Sequence, residues 1–364
     1  LTKLRGALSQ IQGRYESEAR APYDDGWARD EEDAPPPLPT SVVEERARSI
    51  LAQNDSPDVP FDRSVNPYRG CEHGCIYCYA RPRHAYLELS PGLDFETKLY
   101  AKTNAVELLR AELAKRGYAP RPIAFGTNTD CYQPIERRYK VMRGLIELLA
   151  ACDHPLTIVT KSALIERDID LLAPMAKKNL VKAFVSVTTL DHKLARALEP
   201  RAASPRRRID AIRALAGAGI PTGVMVAPLI PALTDKTLEA VLEAAAGAGA
   251  IMAGWILLRL PNEVRPLFKE WLAAHQPQRA DHVISLIRQS RGGRENDPNF
   301  GSRMTGSGNF VELIAKRFAL ACRRLGLNSE ENHMASRGGL DCTLFRPPQA
   351  GTGENGAGGQ MALF

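Results

Sequence analysis

The sequence lacks a long apolar run of the kind that spans a membrane or leads a chain out of the cell. No apolar core follows a basic N-terminus, so no secretory signal is expected. Residues 217–233 carry no charge, but Pro221, Pro228 and Pro231 interrupt them, and they read as a strand with its exit loop. No membrane partner is expected. Cysteine is scarce and odd in number, seven in 364 residues, which argues against a disulfide framework and for the reducing cytoplasm. Strong charge of one sign is also missing. A net charge of +6 permits an acidic partner such as nucleic acid without demanding one. What remains, 44% hydrophobic and 25% charged, suits one large α/β domain with extensions or two modest domains.

Against that scarcity, three cysteines crowd into Cys71-Glu72-His73-Gly74-Cys75-Ile76-Tyr77-Cys78, a C-x3-C-x2-C spacing. Thiolates are soft ligands, and thiolates this close favour an iron–sulfur cluster or zinc. Gly70 and Gly74 let the chain curl so that the sulfurs face one centre. Three local ligands leave a fourth position open, as a catalytic site needs. A zinc site that borrows His73, His84 or Cys131 as its fourth ligand is the alternative on these residues.

The chain around this loop falls into four parts. Residues 1–60 read as a flexible extension, acidic and then proline-rich over 24–39, with one short helix over 42–52 begun by a Ser41/Glu44 capping box. Over 61–278, predicted strands at 63–68, 122–127, 156–160, 182–187, 222–226 and 251–258 alternate with helices at 105–115, 140–151, 167–178, 204–217, 238–246 and 264–275. Apolar strands separated by helices mean a parallel sheet, and six units predict an α/β fold of the partial (β/α)6, TIM-like kind. An open doubly wound sheet is the alternative. Residues 279–348 form a basic extension, turn-rich with five arginines over 279–303 and helical over 310–325. Residues 349–364 are a glycine-rich tail.

Parallel barrels put their chemistry at the C-terminal ends of strands. The cysteine loop follows the first strand. The second ends in a polar loop, 126–136, where Thr127, Asn128 and Thr129 suit the amino group of an amino-acid-like ligand, and where Cys131 also lies. The third ends in Thr160-Lys161-Ser162, whose lysine suits a carboxylate. The fourth gives Ser186 and Thr188 on one face, followed by Leu198-Glu199-Pro200-Arg201 and the run Arg206-Arg207-Arg208. Glu199 is placed to pair with those arginines. The basic segments at 279–303 and 310–325 suit phosphates or a solvated face.

The cysteine spacing, with Tyr77 directly before the third cysteine, resembles the signature of the radical S-adenosylmethionine (SAM) superfamily. Thr160-Lys161-Ser162 and Leu198-Glu199-Pro200-Arg201 resemble its spore photoproduct lyase-related branch. The resemblance implies that Cys71, Cys75 and Cys78 hold a 4Fe-4S cluster whose fourth iron takes SAM. It implies reductive cleavage of SAM to a 5′-deoxyadenosyl radical, with an electron donor such as flavodoxin or ferredoxin, for lyase, repair or modification chemistry. Tyr77 is then expected beside adenine. Thr127, Asn128 and Thr129 stand in place of the family's Gly-Gly-Glu at the SAM amino group. Lys161 is expected at the SAM carboxylate, Ser186, Thr188 and Glu199 near ribose or carboxylate, and Cys131 as a candidate hydrogen donor. The basic segments point to a nucleic-acid substrate and DNA repair. A peptide or small-metabolite substrate is one alternative, and a non-catalytic metal protein on DNA is another. The last five residues, Gln360-Met361-Ala362-Leu363-Phe364, resemble the peptide by which bacterial repair proteins bind the sliding clamp.

Overall fold

The computed structural model describes residues 5–16, 38–329 and 339–348. Among them are ten strands: β1 (Ser41–Glu45), β2 (Leu51–Gln53), β3 (Arg63–Val65), β4 (Tyr68–Arg69), β5 (Lys98–Lys102), β6 (Ile123–Phe125), β7 (Leu156–Thr160), β8 (Val181–Ser186), β9 (Thr222–Leu229) and β10 (Met252–Leu257). Seven form one sheet in the order β10-β9-β8-β7-β6-β3-β2. Six of these, β3 and β6 to β10, pair in parallel, and β2 runs antiparallel on the β3 edge. This is the expected six-stranded partial barrel. Side chains such as Val65, Phe125, Ile158, Val185 and Val224 are fully buried, which is why these strands read as apolar runs.

Helices alternate with the strands and cover the sheet. The helix Pro205–Gly217 shows how local sequence sets its ends. The Ser204 hydroxyl accepts the Arg207 N–H at 3.4 Å, and Pro205 occupies a position whose N–H has no use in a helix. Gly219, at φ +76°, lets the chain leave. No helix among the described residues is long and apolar enough to cross a membrane.

A partial barrel leaves a gap between its first and last strands. Here residues 299–304 bridge it. The Leu257 N–H donates to the Met304 carbonyl at 2.9 Å, tying this segment to β10. Asp58, just before β3, accepts the Gly301 N–H at 2.6 Å and pairs with Arg303.

Three local expectations are corrected. The helix over 42–52 is absent, and β1 and β2 stand in its place. The Ser41 hydroxyl donates to the Thr97 carbonyl at 3.2 Å instead of capping a helix, and β1 pairs in parallel with β5 from Ser41↔Lys98 to Glu45↔Lys102. Val42 and Val43 favour that extended ladder. The first strand, expected over 63–68, breaks in two. β3 stays in the large sheet, while β4 crosses to pair antiparallel with β5, the break falling at Asn66-Pro67. The turn-rich segment 279–303 contains the helix Ala280–Gln289, which buries Val283 and Ile287.

The extension expected to be flexible over 1–60 has two described parts. Residues 5–16 lie under the cysteine loop, where Glu96 accepts the N–H groups of Gly6 and Ala7, both at 2.8 Å. Residues 38–60 carry β1 and β2.

Candidate active site

The cysteine loop leaves β4 and is held from beneath by one buried arginine. Arg81 donates to the carbonyls of Cys75 (2.9 Å), Gly74 (3.2 Å), Pro91 (3.0 Å) and Gly92 (2.8 Å), and it pairs with the buried Glu96. The guanidinium fork thereby fixes the curl through its backbone. Gly70 and Gly74 have φ +72° and +66°. A Cβ on Gly74 would sit 2.6 Å from the Glu96 carboxylate, so the close approach needs glycine.

Cys71 and Cys75 are buried and Cys78 is half-buried. Burial pushes all three thiols above the ordinary cysteine range. The backbone N–H of His73 on Cys71, and those of Ala80 and Arg81 on Cys78, pull the other way. Buried sulfurs that already receive N–H bonds become thiolates once a metal supplies positive charge, and this donor set fits an iron–sulfur cluster. Among the described residues no three His, Cys, Asp or Glu side chains gather as one bound ion requires. His84, offered above as a zinc ligand, packs edge-on to Phe95, and burial lowers its pKa to about 4. His73 instead faces Asp130, Nδ1 to carboxylate at 3.4 Å.

Opposite the loop, the strand ends assemble a polar group. Lys161 brings its ammonium 3.3 Å from the Ala227 carbonyl and 5.9 Å from the centroid of the Tyr77 ring. Burial lowers its pKa, and Cys75 stands among the groups that oppose this. The Tyr77 hydroxyl donates to Glu199 and lies 3.2 Å from the Thr188 hydroxyl. Thr188 itself donates to Glu199 at 2.7 Å. Arg208, fully buried on the helix Pro205–Gly217, pairs with Glu199 and donates to the Ser186 carbonyl at 3.1 Å. Of the two roles open for Glu199, pairing with an arginine is therefore made within the chain.

The structure thus gathers Cys75, Tyr77, Lys161, Thr188 and Glu199, contributed by the segments that follow three strands, β4, β7 and β8. The second loop divides its labour. Thr127 offers its carbonyl to the Tyr79 hydroxyl, and the buried Oδ1 of Asn128 has no partner among the described residues. Thr129 is a structural residue, its hydroxyl donating to the Tyr68 carbonyl at 2.9 Å. Cys131 is not brought to this group. It is fully buried in the apolar core, where burial and then the charges of Asp130 and Glu136 push its thiol well up. Its neighbour Asp130 faces the mouth instead, a residue that sequence reasoning passed over although it lies in the same polar loop. Arg208 was seen only as part of a basic run. The clamp-like peptide at 360–364 lies outside the described residues.

Comparison with known proteins gives this arrangement a context. A family model for the radical SAM superfamily matches residues 65–245. An uncharacterized protein of Mycobacterium tuberculosis strain H37Rv is 41% identical over 233 residues, covering 64% of this chain and 68% of that one. An uncharacterized protein of Methanocaldococcus jannaschii is 29% identical over 171 residues, or 47% of this chain and 61% of that one. Among solved structures, a spore photoproduct lyase mutant superposes with TM-score 0.57 at 17% identity, over 79% of this chain and 80% of that one. The same enzyme complexed with dinucleoside spore photoproduct gives 0.56 at 18% identity over the same shares.

Proposed function

The chain belongs to the radical SAM superfamily, whose cofactors are a 4Fe-4S cluster and SAM, and on that premise we propose that it cleaves SAM to begin hydrogen abstraction from a nucleic-acid substrate. The observation that carries this reading is the meeting of the cysteine loop with Lys161 and the Tyr77–Glu199 network at one mouth. A bound, reduced 4Fe-4S cluster would supply the electron for SAM cleavage.

Each residue of the chain has a separable part. Cys71, Cys75 and Cys78 would hold the cluster, and Arg81 keeps the loop that carries them in shape. Lys161 presents a half-buried ammonium for the SAM carboxylate, as a charge taken out of water calls for an opposite one. Asn128, with its unpaired Oδ1, is the member of the second loop best suited to the SAM ammonium. Glu199 and Arg208 neutralise each other, so Glu199 acts by fixing Tyr77 and Thr188 rather than by carrying a free charge. Lyase or repair chemistry, an electron donor of the flavodoxin or ferredoxin class, and recruitment by the sliding clamp through residues 360–364 belong to the same proposal.

The test is anaerobic reconstitution with iron and sulfide, reduction, addition of SAM and an assay of 5′-deoxyadenosine, with Cys75→Ala as the control. Product from the intact protein and none from the variant is the expected result. A fully loaded, reduced protein that forms none would overturn the reading.

A further inference from the structure

The mouth contains a cation that nothing in the SAM-binding assignment uses. Arg259 leaves the end of β10, and its guanidinium lies 5.7 Å from the centroid of the Tyr79 ring, directly after Cys78. First and last strands of the partial barrel thus meet at these two side chains. Arg259 is half-buried, yet among the described residues it touches no carboxylate. Its Nη1 reaches only the Met304 sulfur at 3.7 Å, a weak acceptor, and its buried Nε has no acceptor. The nearby Asp58 is already engaged by Arg303 and the Gly301 N–H. A guanidinium taken partly out of water and left without an anion is costly unless a ligand provides one, and its fork matches phosphate oxygens.

The surroundings say which anion. Tyr79, under Arg259, is 47% exposed, and Phe300, on the bridge, is 58% exposed. The Arg303 guanidinium lies 4.4 Å over Phe300 and its charge acts on Arg259. Exposed rings interleaved with arginines form the stacking surface that single-stranded nucleic acid uses, with phosphates on the cations and bases on the rings. A carboxylate-bearing peptide would use the arginine and leave the rings unexplained.

We propose that Arg259 binds a backbone phosphate of a single-stranded nucleic-acid segment whose neighbouring bases stack on Tyr79 and Phe300, so that the bridge 299–304 is a substrate-reading element. This rests on the nucleic-acid reading above and adds to it a named contact.

The experiment is fluorescence anisotropy of a labelled mixed-sequence strand of about 12 nucleotides on the cluster-loaded protein, over a range of salt concentrations. Arg259→Gln is expected to weaken binding about tenfold and to flatten the slope of log K against log salt by about 0.7, the share of one single-strand phosphate. Phe300→Ala is expected to weaken binding about tenfold and leave the slope in place. Arg110→Gln, on the far helix Ala105–Leu113, controls for loss of any one charge, and a thermal melt of each variant checks folding. If the intact protein binds the strand and Arg259→Gln keeps both affinity and slope, this inference falls and the nucleic-acid reading stands. If the intact protein ignores the strand but binds a duplex of the same sequence, this inference falls and the nucleic-acid reading stands; if it ignores both, or binds an acidic decapeptide instead, both fall.

Discussion

One carboxylate joins two strand ends to the cysteine loop: Asp130, in the loop after β6, accepts the backbone N–H of Lys161, at the end of β7, at 2.7 Å. The same group accepts the Thr160 hydroxyl at 2.7 Å and faces His73 at 3.4 Å. Burial alone would raise its pKa, but His73 and these hydrogen bonds outweigh it and hold the group at about 2. Asp130 therefore stays ionised, and it fixes where the Lys161 side chain begins.

Asp130→Asn keeps the shape and removes the charge. Charge-assisted hydrogen bonds of this kind contribute more than neutral ones, so the variant is expected to lose about 2 kcal/mol of stability at neutral pH. Urea unfolding measures it. Weaker SAM binding should accompany the loss, because Lys161 is no longer anchored. Unchanged stability and unchanged SAM affinity would remove Asp130 from this role.

Glu199 and Arg208 form a buried pair, and breaking one half should cost more than removing both. Glu199→Gln leaves Arg208 with an uncompensated charge and is expected to destabilise by about 3–5 kcal/mol. Glu199→Met combined with Arg208→Met should cost less than the sum of the two single changes. Additive unfolding energies across that cycle would contradict the coupling.

His154 predicts the direction of acid sensitivity. It is fully buried, its Nδ1–H donates to the Pro155 carbonyl at 2.9 Å, and its Nε2 accepts the Tyr118 hydroxyl at 2.8 Å. Burial lowers its pKa from 6.5 to about 4. A base kept neutral in the fold takes up its proton on unfolding, so its contribution is complete above pH 6.5 and lost as pH falls toward 4. The span amounts to about 3 kcal/mol. The urea midpoint of the intact chain should fall over that window, and His154→Gln should fall less steeply.

Deleting residues 360–364 is expected to abolish capture of the bacterial sliding clamp and to leave iron and sulfide content unchanged. Five residues on a glycine-rich tether can bind without touching the barrel. Retained capture would end that part of the proposal.

Much of the fold was legible from the sequence. Strands buried on both faces in a parallel sheet read as apolar runs, and Leu156–Thr160 and the helix Val264–His275 fall where expected. The crowding of three cysteines into one loop was legible too, because they are close in sequence. Other features depended on partners far along the chain. Ser41 and Glu44 have the local pattern of a helix start, but the ladder with Lys98–Lys102 offered the backbone a better set of bonds. Asp130 and Cys131 are adjacent, and no local rule says which faces the mouth. Thr160, Lys161 and His73 hold the carboxylate there, which turns the thiol into the core. Arg259 has no motif at all. It became a candidate only when the fold set it against Tyr79 and left it without an anion. Sequence by itself determined the strand–helix alternation and the crowding of three cysteines in one loop, since both rest on spacing along the chain. Tertiary structure decided which charges are paired and which are left for a ligand, since pairing depends on distances that only folding creates.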